Sequence, residues 1–205
     1  MGRQDVFNCA KSAISFYNAY LKTVCEEIGI ARALSLHMKI NKTMGIMQGK
    51  MIKKQSGTEE IDANAALSLA KSVPESFGIS MEIVEENPKS VVFKVIRCPI
   101  YEAAQMVGMD EETIETLCLS GLVIFMDALI RQLNHNFSYR LQRFRSGPND
   151  FCEEVIIKDQ SFLLSENLIN ENRDTRCIHT TSRSLRSFPY LKHWTVESLS
   201  MRSLP

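Results

Sequence analysis

The chain has no excess of charge of either sign: Lys and Arg number 24 and Asp and Glu 24, so its formal net charge is zero. That withholds support for nucleic-acid binding, which draws on a basic surface. No uninterrupted apolar run reaches the roughly 18 residues that span a bilayer. The start, Met1-Gly2-Arg3-Gln4-Asp5, has no basic stretch followed by an apolar core, so no secretory signal is read there. Val6 stands where a myristoylation motif needs Ser or Thr. The six cysteines, Cys9, Cys25, Cys98, Cys118, Cys152 and Cys177, form no Cys-x-x-Cys pair. This spacing is neither a zinc ribbon nor a disulfide scaffold. A Gly-rich phosphate loop, a Ser-His-Asp signature, a zinc motif and internal repeats are missing too. The absences lead us to expect no nucleic-acid partner, no membrane partner, no bound metal, and reduced thiols in the cytoplasm. The composition names no cofactor.

What is present is a globular composition. Of 205 residues, 44% are hydrophobic and 23% charged, which suits one domain with an appendage. Phe7, Ala10, Ile14, Tyr17, Leu21, Val24 and Ile28 follow at alternating spacings of three and four, one stripe of a helix that Gly29 stops. A second helix is predicted over 31–54, with Leu36, Ile40, Met44, Met47 and Met51 on one side and lysines on the other. Its methionines either fill gaps in a core or form a soft pocket wall. Gly45 and Gly49 inside it permit a close neighbour. A third helix covers 60–72 and ends or bends at Val73-Pro74.

The period then changes to two. Ile79, Met81 and Ile83, followed by a turn at 86–89 and then Val91, Phe93 and Val95, predict a hairpin of 79–85 with 90–97. Pro99 fits the first position of a short helix over 99–107 with Cys98 as its N-cap. Asp110-Glu111-Glu112 opens a longer helix to about Asn136, apolar nearly all round between Leu117 and Ile130 and therefore buried. Strands at 139–145 and 151–158, separated by the turn formers 146–150, complete a second hairpin. The expected fold is α+β: N-terminal helices plus an antiparallel sheet of about four strands packed on a long buried helix. Residues 1–158 form one domain (1–77 helical, 78–158 sheet and central helix). Residues 159–205, rich in Ser, Arg and Asn, are expected to be a disordered or weakly structured tail.

Several residues are candidates for chemistry. Asp127 lies among Leu122-Val123-Ile124-Phe125-Met126 and Ala128-Leu129-Ile130. A buried carboxylate must be paired, hydrogen-bonded or protonated. It is either a partner for Arg131 one turn on, or a pocket acid, base or ligand anchor. Cys98, at a helix N-terminus, is a nucleophile candidate if the dipole depresses its pKa, or else an ordinary core thiol. Glu102 is one turn away, placed for proton exchange or as a solvated charge. Counted at about 100° per residue, Cys118 and Asp127 point to opposite sides of the central helix. Cys152 shares a strand face with Glu154 and Ile156 and either packs the sheet or approaches that helix. Asn134 falls on nearly the same face as Asp127. His135 suits a helix C-terminus, and His37 has no partner at metal-ligand spacing.

Taken in order, Arg97-Cys98-Pro99-Ile100-Tyr101-Glu102, then Leu117-Cys118, Asp127, Gly147 and Phe151-Cys152-Glu153-Glu154 resemble the L-2-amino-thiazoline-4-carboxylic acid hydrolase family, over roughly residues 20–158. The resemblance implies a small-molecule substrate and a hydrolase opening a cyclic amidine at a carbon–nitrogen or carbon–sulfur bond. Cys98, or water activated by Asp127, would attack the electrophilic ring carbon, with Cys118 and Cys152 as further catalytic candidates. Arg97 or Arg131 would hold the substrate carboxylate, with Glu102 and Asn134 as further binding candidates. Two non-enzymatic readings stand beside it. One is a small-molecule-binding or sensor domain of the vinyl-reductase, hydrocarbon-binding type. The other is an interaction protein, a homo-oligomer formed through the stripe of the first helix.

Overall fold

A computed structural model describes residues 2–57 and 61–159. The expected tail, 159–205, lies outside them except for Asp159. Helix α1 (Arg3–Ile28) joins α2 (Ile30–Ser56) at Gly29, whose φ of +83° favours glycine. Short helices α3 (Ala63–Ala70) and α4 (Ser72–Ser76) follow. Strands β1 (Ser80–Asn87) and β2 (Ser90–Arg97) form the expected first hairpin. Next come α5 (Pro99–Met106), α6 (Glu111–Cys118), a π-helical turn (Leu119–Val123), α7 (Ile124–Leu133), β3 (Phe137–Arg143) and β4 (Cys152–Lys158). The sheet order is β1-β2-β4-β3 and every pairing is antiparallel, so the expected α+β architecture with four strands is observed.

Local chemistry explains the boundaries. Asp62 caps α3 by accepting from the Ala65 amide, and Asp110 caps α6 by accepting from the Thr113 amide at 2.8 Å. Pro99 starts α5 where its missing N–H costs nothing.

One sheet face is covered by helices. Register places Val91, Phe93 and Val95 of β2 opposite Ile156, Glu154 and Cys152 of β4, with Tyr139 opposite Ile156 on the far side. All of these side chains are buried. Met126, Leu129, Ile130 and Leu133 of α7 join the same core. Burying each such side chain contributes roughly 1.5–3 kcal/mol.

On its other side α7 meets α2 at very close range. A methyl group on Gly45 would collide with the Phe125 carbonyl, and one on Gly49 would lie 2.7 Å from the Leu129 carbonyl. The close neighbour that those glycines permit is therefore present.

One expectation needs correction. The apolar stripe of α2 is neither core nor pocket wall: Leu36, Ile40, Met44, Met47 and Met51 are each 46–57% exposed. Ala33, Leu34, His37 and Ile52, with the two glycines, form the buried face instead. Within the stripe of α1, Phe7 is buried and Leu21 is buried with Cys25 and Ala33, whereas Tyr17 and Ile28 are each 39% exposed. Glu111–Leu133 is long and apolar enough to cross a membrane by length and composition once isolated charges are allowed inside the window. Half of that window is buried inside the fold, as the central helix of a core.

The π-helical turn has a specific packing environment. Such turns disturb the regular main-chain hydrogen bonding of an α-helix. Ser120 Oγ donates to the Thr116 carbonyl at 2.7 Å, and the Leu117 backbone lies where it favours the protonated His37 ring. Gly121 makes room for that ring: a Cβ there would lie 2.6 Å from His37 Nε2. His37 Nδ1 meets Tyr17 Oη at 2.8 Å. Burial holds this imidazole below its usual range.

Candidate functional site

β4 contributes Cys152 and Glu154 to the covered sheet face, as period-two alternation requires. Glu154 is 5% exposed. The buried hydroxyl of Tyr139 on the neighbouring strand donates to its carboxylate. Burial pushes the carboxyl up to about 7, against the opposing pull of Tyr139 and the Arg145 guanidinium. The same burial, reinforced by the Glu154 charge, drives Tyr139 well above the phenol range.

Arg145, two residues beyond β3, is 3% exposed. Its Nε donates to Cys152 Sγ at 3.4 Å, and its Nη2 donates to the Val95 carbonyl at 2.7 Å and the Ile96 carbonyl at 3.3 Å. Its guanidinium stacks over the Tyr101 ring, 4.8 Å from the centroid. Tyr101 in turn donates to Glu111 and accepts from Gln105. The cation is thus held by carbonyls, a ring and a sulfur, without a direct carboxylate contact among the described residues.

Cys98 is buried at the N-cap of α5. Glu154 and Arg145 both act on its thiol electrostatically, as they do on Cys118. Cys118 also feels Cys98 and Cys152. The three candidate cysteines therefore converge around the Glu154–Tyr139 pair and Arg145.

For Cys98, the second of the two alternatives, an ordinary core thiol, is the one the structure favours. The helix start does favour a Cys98 thiolate, through the amides of Tyr101 and Ile100, but burial outweighs it and pushes the thiol up to about 11. Burial also raises Cys118 well above the usual thiol range. Cys98 is therefore a neutral thiol, not a low-pKa nucleophile: desolvation wins over the dipole.

Asp127 is placed differently. Its Oδ2 accepts from Arg131 Nε at 2.9 Å, one turn along α7, and its Oδ1 accepts from the Tyr139 backbone amide at 3.0 Å. Its side chain is 30% exposed. Of the two alternatives, the structure shows the paired one, a clamp between α7 and the start of β3.

The remaining candidates hold the fold. Glu102 accepts from Lys11 at 3.2 Å and Arg97 at 3.3 Å, and Arg97 stacks on Phe7 at 3.6 Å, which fastens α1 to α5. Asn134 donates to the Ile61 carbonyl at 2.7 Å and accepts from the Asn136 amide at 2.9 Å, closing the end of α7. Arg97, Glu102, Arg131 and Asn134 are thus each engaged away from the thiols. The residues missed as candidates are Glu154, Tyr139 and Arg145. The usable signal was Glu154 sharing a strand face with Cys152. No group of three or more His, Cys, Asp or Glu side chains among the described residues could hold a metal ion.

The profile of the L-2-amino-thiazoline-4-carboxylic acid hydrolase family matches residues 9–141. The chain belongs to that family. The matched span includes Cys98, Cys118, Asp127 and Tyr139, and it ends before Arg145, Cys152 and Glu154. No curated protein matches the chain. Two solved structures share the fold at low sequence identity. One is trafficking protein particle complex subunit 3 from Naegleria fowleri, covalently bound to palmitic acid (TM-score 0.52, 12% identity, 73% of this chain and 95% of that one). The other is the phenol-responsive sensory domain of the transcription activator PoxR with phenol (TM-score 0.53, 12% identity, 79% and 82%).

Proposed function

We propose that this family member opens a small cyclic amidine carboxylate by hydrolysis, with Glu154 as the acid–base group. The observation that carries this reading is a carboxyl held up to about 7 in an enclosed, sulfur-lined setting. A group that titrates near the working pH is well matched to proton transfer. As the carboxylate it takes a proton from water while the oxygen adds to the amidine carbon. As the acid it delivers that proton to the ring nitrogen; it then takes the proton of the new hydroxyl as the carbonyl forms and hands it to the departing ring heteroatom, so one water is consumed and Glu154 ends as it began. Arg145 supplies the cation suited to a substrate carboxylate. Neutral Cys98 and Cys118 line the site as soft, weakly polar walls. Tyr139 keeps the Glu154 carboxyl in one orientation.

The test is incubation with 2-amino-thiazoline-4-carboxylate followed by mass spectrometry. Gain of one water supports hydrolysis. A free product thiol marks carbon–sulfur opening, and its absence marks carbon–nitrogen opening. Recovery of unchanged substrate would overturn the reading.

A second reading, a non-catalytic binding or sensor domain, is favoured by the thiols being held neutral. The fold is shared with a domain solved with phenol and a subunit carrying palmitic acid, which would suit an apolar small molecule. That reading predicts a rise in melting temperature with phenol-sized ligands and no turnover.

A further inference from the structure

We propose that α2 docks this protein on an anionic lipid surface, lying on the bilayer without crossing it. Five apolar side chains, Leu36, Ile40, Met44, Met47 and Met51, stand about half exposed along one line of α2. Single exposed apolar residues are ordinary, but a continuous stripe marks an interaction surface. At 100° per residue the five fall within an arc of about 80°. They run along about 22 Å of helix, taken at 1.5 Å per residue.

Charge decides what covers the stripe. α2 carries Arg32, Lys39, Lys42, Lys50, Lys53 and Lys54 and no Asp or Glu, in a chain whose overall charge is zero. On the same wheel Arg32, Lys39, Lys50 and Lys54 lie along one flank of the stripe. The opposite edge continues into the face that packs on α7. A second copy laid stripe to stripe would bring two such cationic helices together, which is unfavourable. An apolar strip with a lysine margin is the pattern of a helix that rests in the headgroup layer of an acidic bilayer. Each lysine near such a surface contributes about 1 kcal/mol, and methionine side chains adapt to an irregular apolar boundary. The absence of a membrane partner expected from the sequence rested on spanning segments and signals; a helix lying on the surface needs neither.

The experiment is co-sedimentation of the full chain with vesicles of phosphatidylcholine alone and of phosphatidylcholine with about one-third phosphatidylserine, at low and high salt. Binding is expected on the acidic vesicles only, falling with added salt as exposed charges are screened. Lys39→Gln with Lys50→Gln should weaken partitioning about 30-fold. Met47→Asp should abolish it while circular dichroism stays unchanged, since both sites are exposed. Equal binding to neutral and acidic vesicles, no binding to either, or binding untouched by these substitutions would overturn the proposal. So would a concentration-dependent dimer that Met47→Asp dissociates, or a stripe that captures only an acidic amphipathic peptide. Turnover of the thiazoline substrate in solution is read separately, so loss of one result leaves the other standing.

Discussion

Glu154→Gln is the perturbation whose effect can be worked furthest. An unfolded glutamate releases its proton near 4.5, whereas the folded protein holds it to about 7. Between those values the native state binds more protons than the unfolded state, so stability falls as pH rises. The contribution is intact below pH 4.5 and is lost as pH rises through about 7. A shift of this size corresponds to about 3 kcal/mol, and Glu154 is almost fully buried, so solvent screening does little to reduce it. Glutamine keeps an oxygen to accept from Tyr139 and cannot titrate. Urea unfolding followed by circular dichroism at intervals from pH 4.5 to 8 gives both curves. His37 acts with the opposite sign: its folded value is depressed, so its contribution is lost as pH falls. It is common to both proteins and cancels in the difference. That difference should shift by about 3 kcal/mol in favour of the variant as pH rises. Two parallel curves over the whole range would show that Glu154 is not the buried, proton-holding group described above.

Tyr139→Phe should raise the Glu154 pKa further, because the hydroxyl hydrogen bond favours the carboxylate; infrared titration of the protonated carboxyl band would register the shift, and an unchanged midpoint would refute the pairing. Gly45→Ala should destabilise by about 1–3 kcal/mol or more, since the methyl meets the Phe125 main chain, and thermal unfolding should show a lower melting temperature, against almost no change for Met47→Ala on the exposed side of the same helix. Asp127→Asn keeps one oxygen to accept from the Tyr139 amide and loses the charge that faces Arg131, yet should cost no more than about 1 kcal/mol because the pair is partly exposed; in a turnover assay it should leave the rate near wild type, and a large loss would return Asp127 to the chemistry.

Most of the fold is written in local patterns. Period two marked both hairpins, Pro99 and Asp110 marked helix starts, and the run from Leu117 to Ile130 marked the central helix. Each of these depends on neighbours in sequence. What was not legible depends on tertiary placement. Periodicity finds a stripe on α2 without saying which side meets the protein, and the two glycines, which settle it, carry no hydrophobic signal. Alternation already put Glu154 on the same face as Cys152, but its burial depends on the helices that cover that face. Arg145 follows the end of β3 and is buried only because the Val95 and Ile96 carbonyls and the Tyr101 ring receive it. The three cysteines were identifiable as a set through the family pattern. Asp127 drew attention because a charge interrupts an apolar run, and its partners, Arg131 and a strand amide, are the ordinary solution to that problem.

Glu154, within the thiol and Arg145 cluster, is the group proposed to perform the acid–base step. The most direct measurement is the rate of 2-amino-thiazoline-4-carboxylate conversion against pH for the wild type, Glu154→Gln and Asp127→Asn. The account predicts an inflection near pH 7 in the wild type, a loss of about 100-fold or more in Glu154→Gln, and an unchanged profile in Asp127→Asn. Undiminished turnover in Glu154→Gln, with activity abolished in Asp127→Asn, would contradict it.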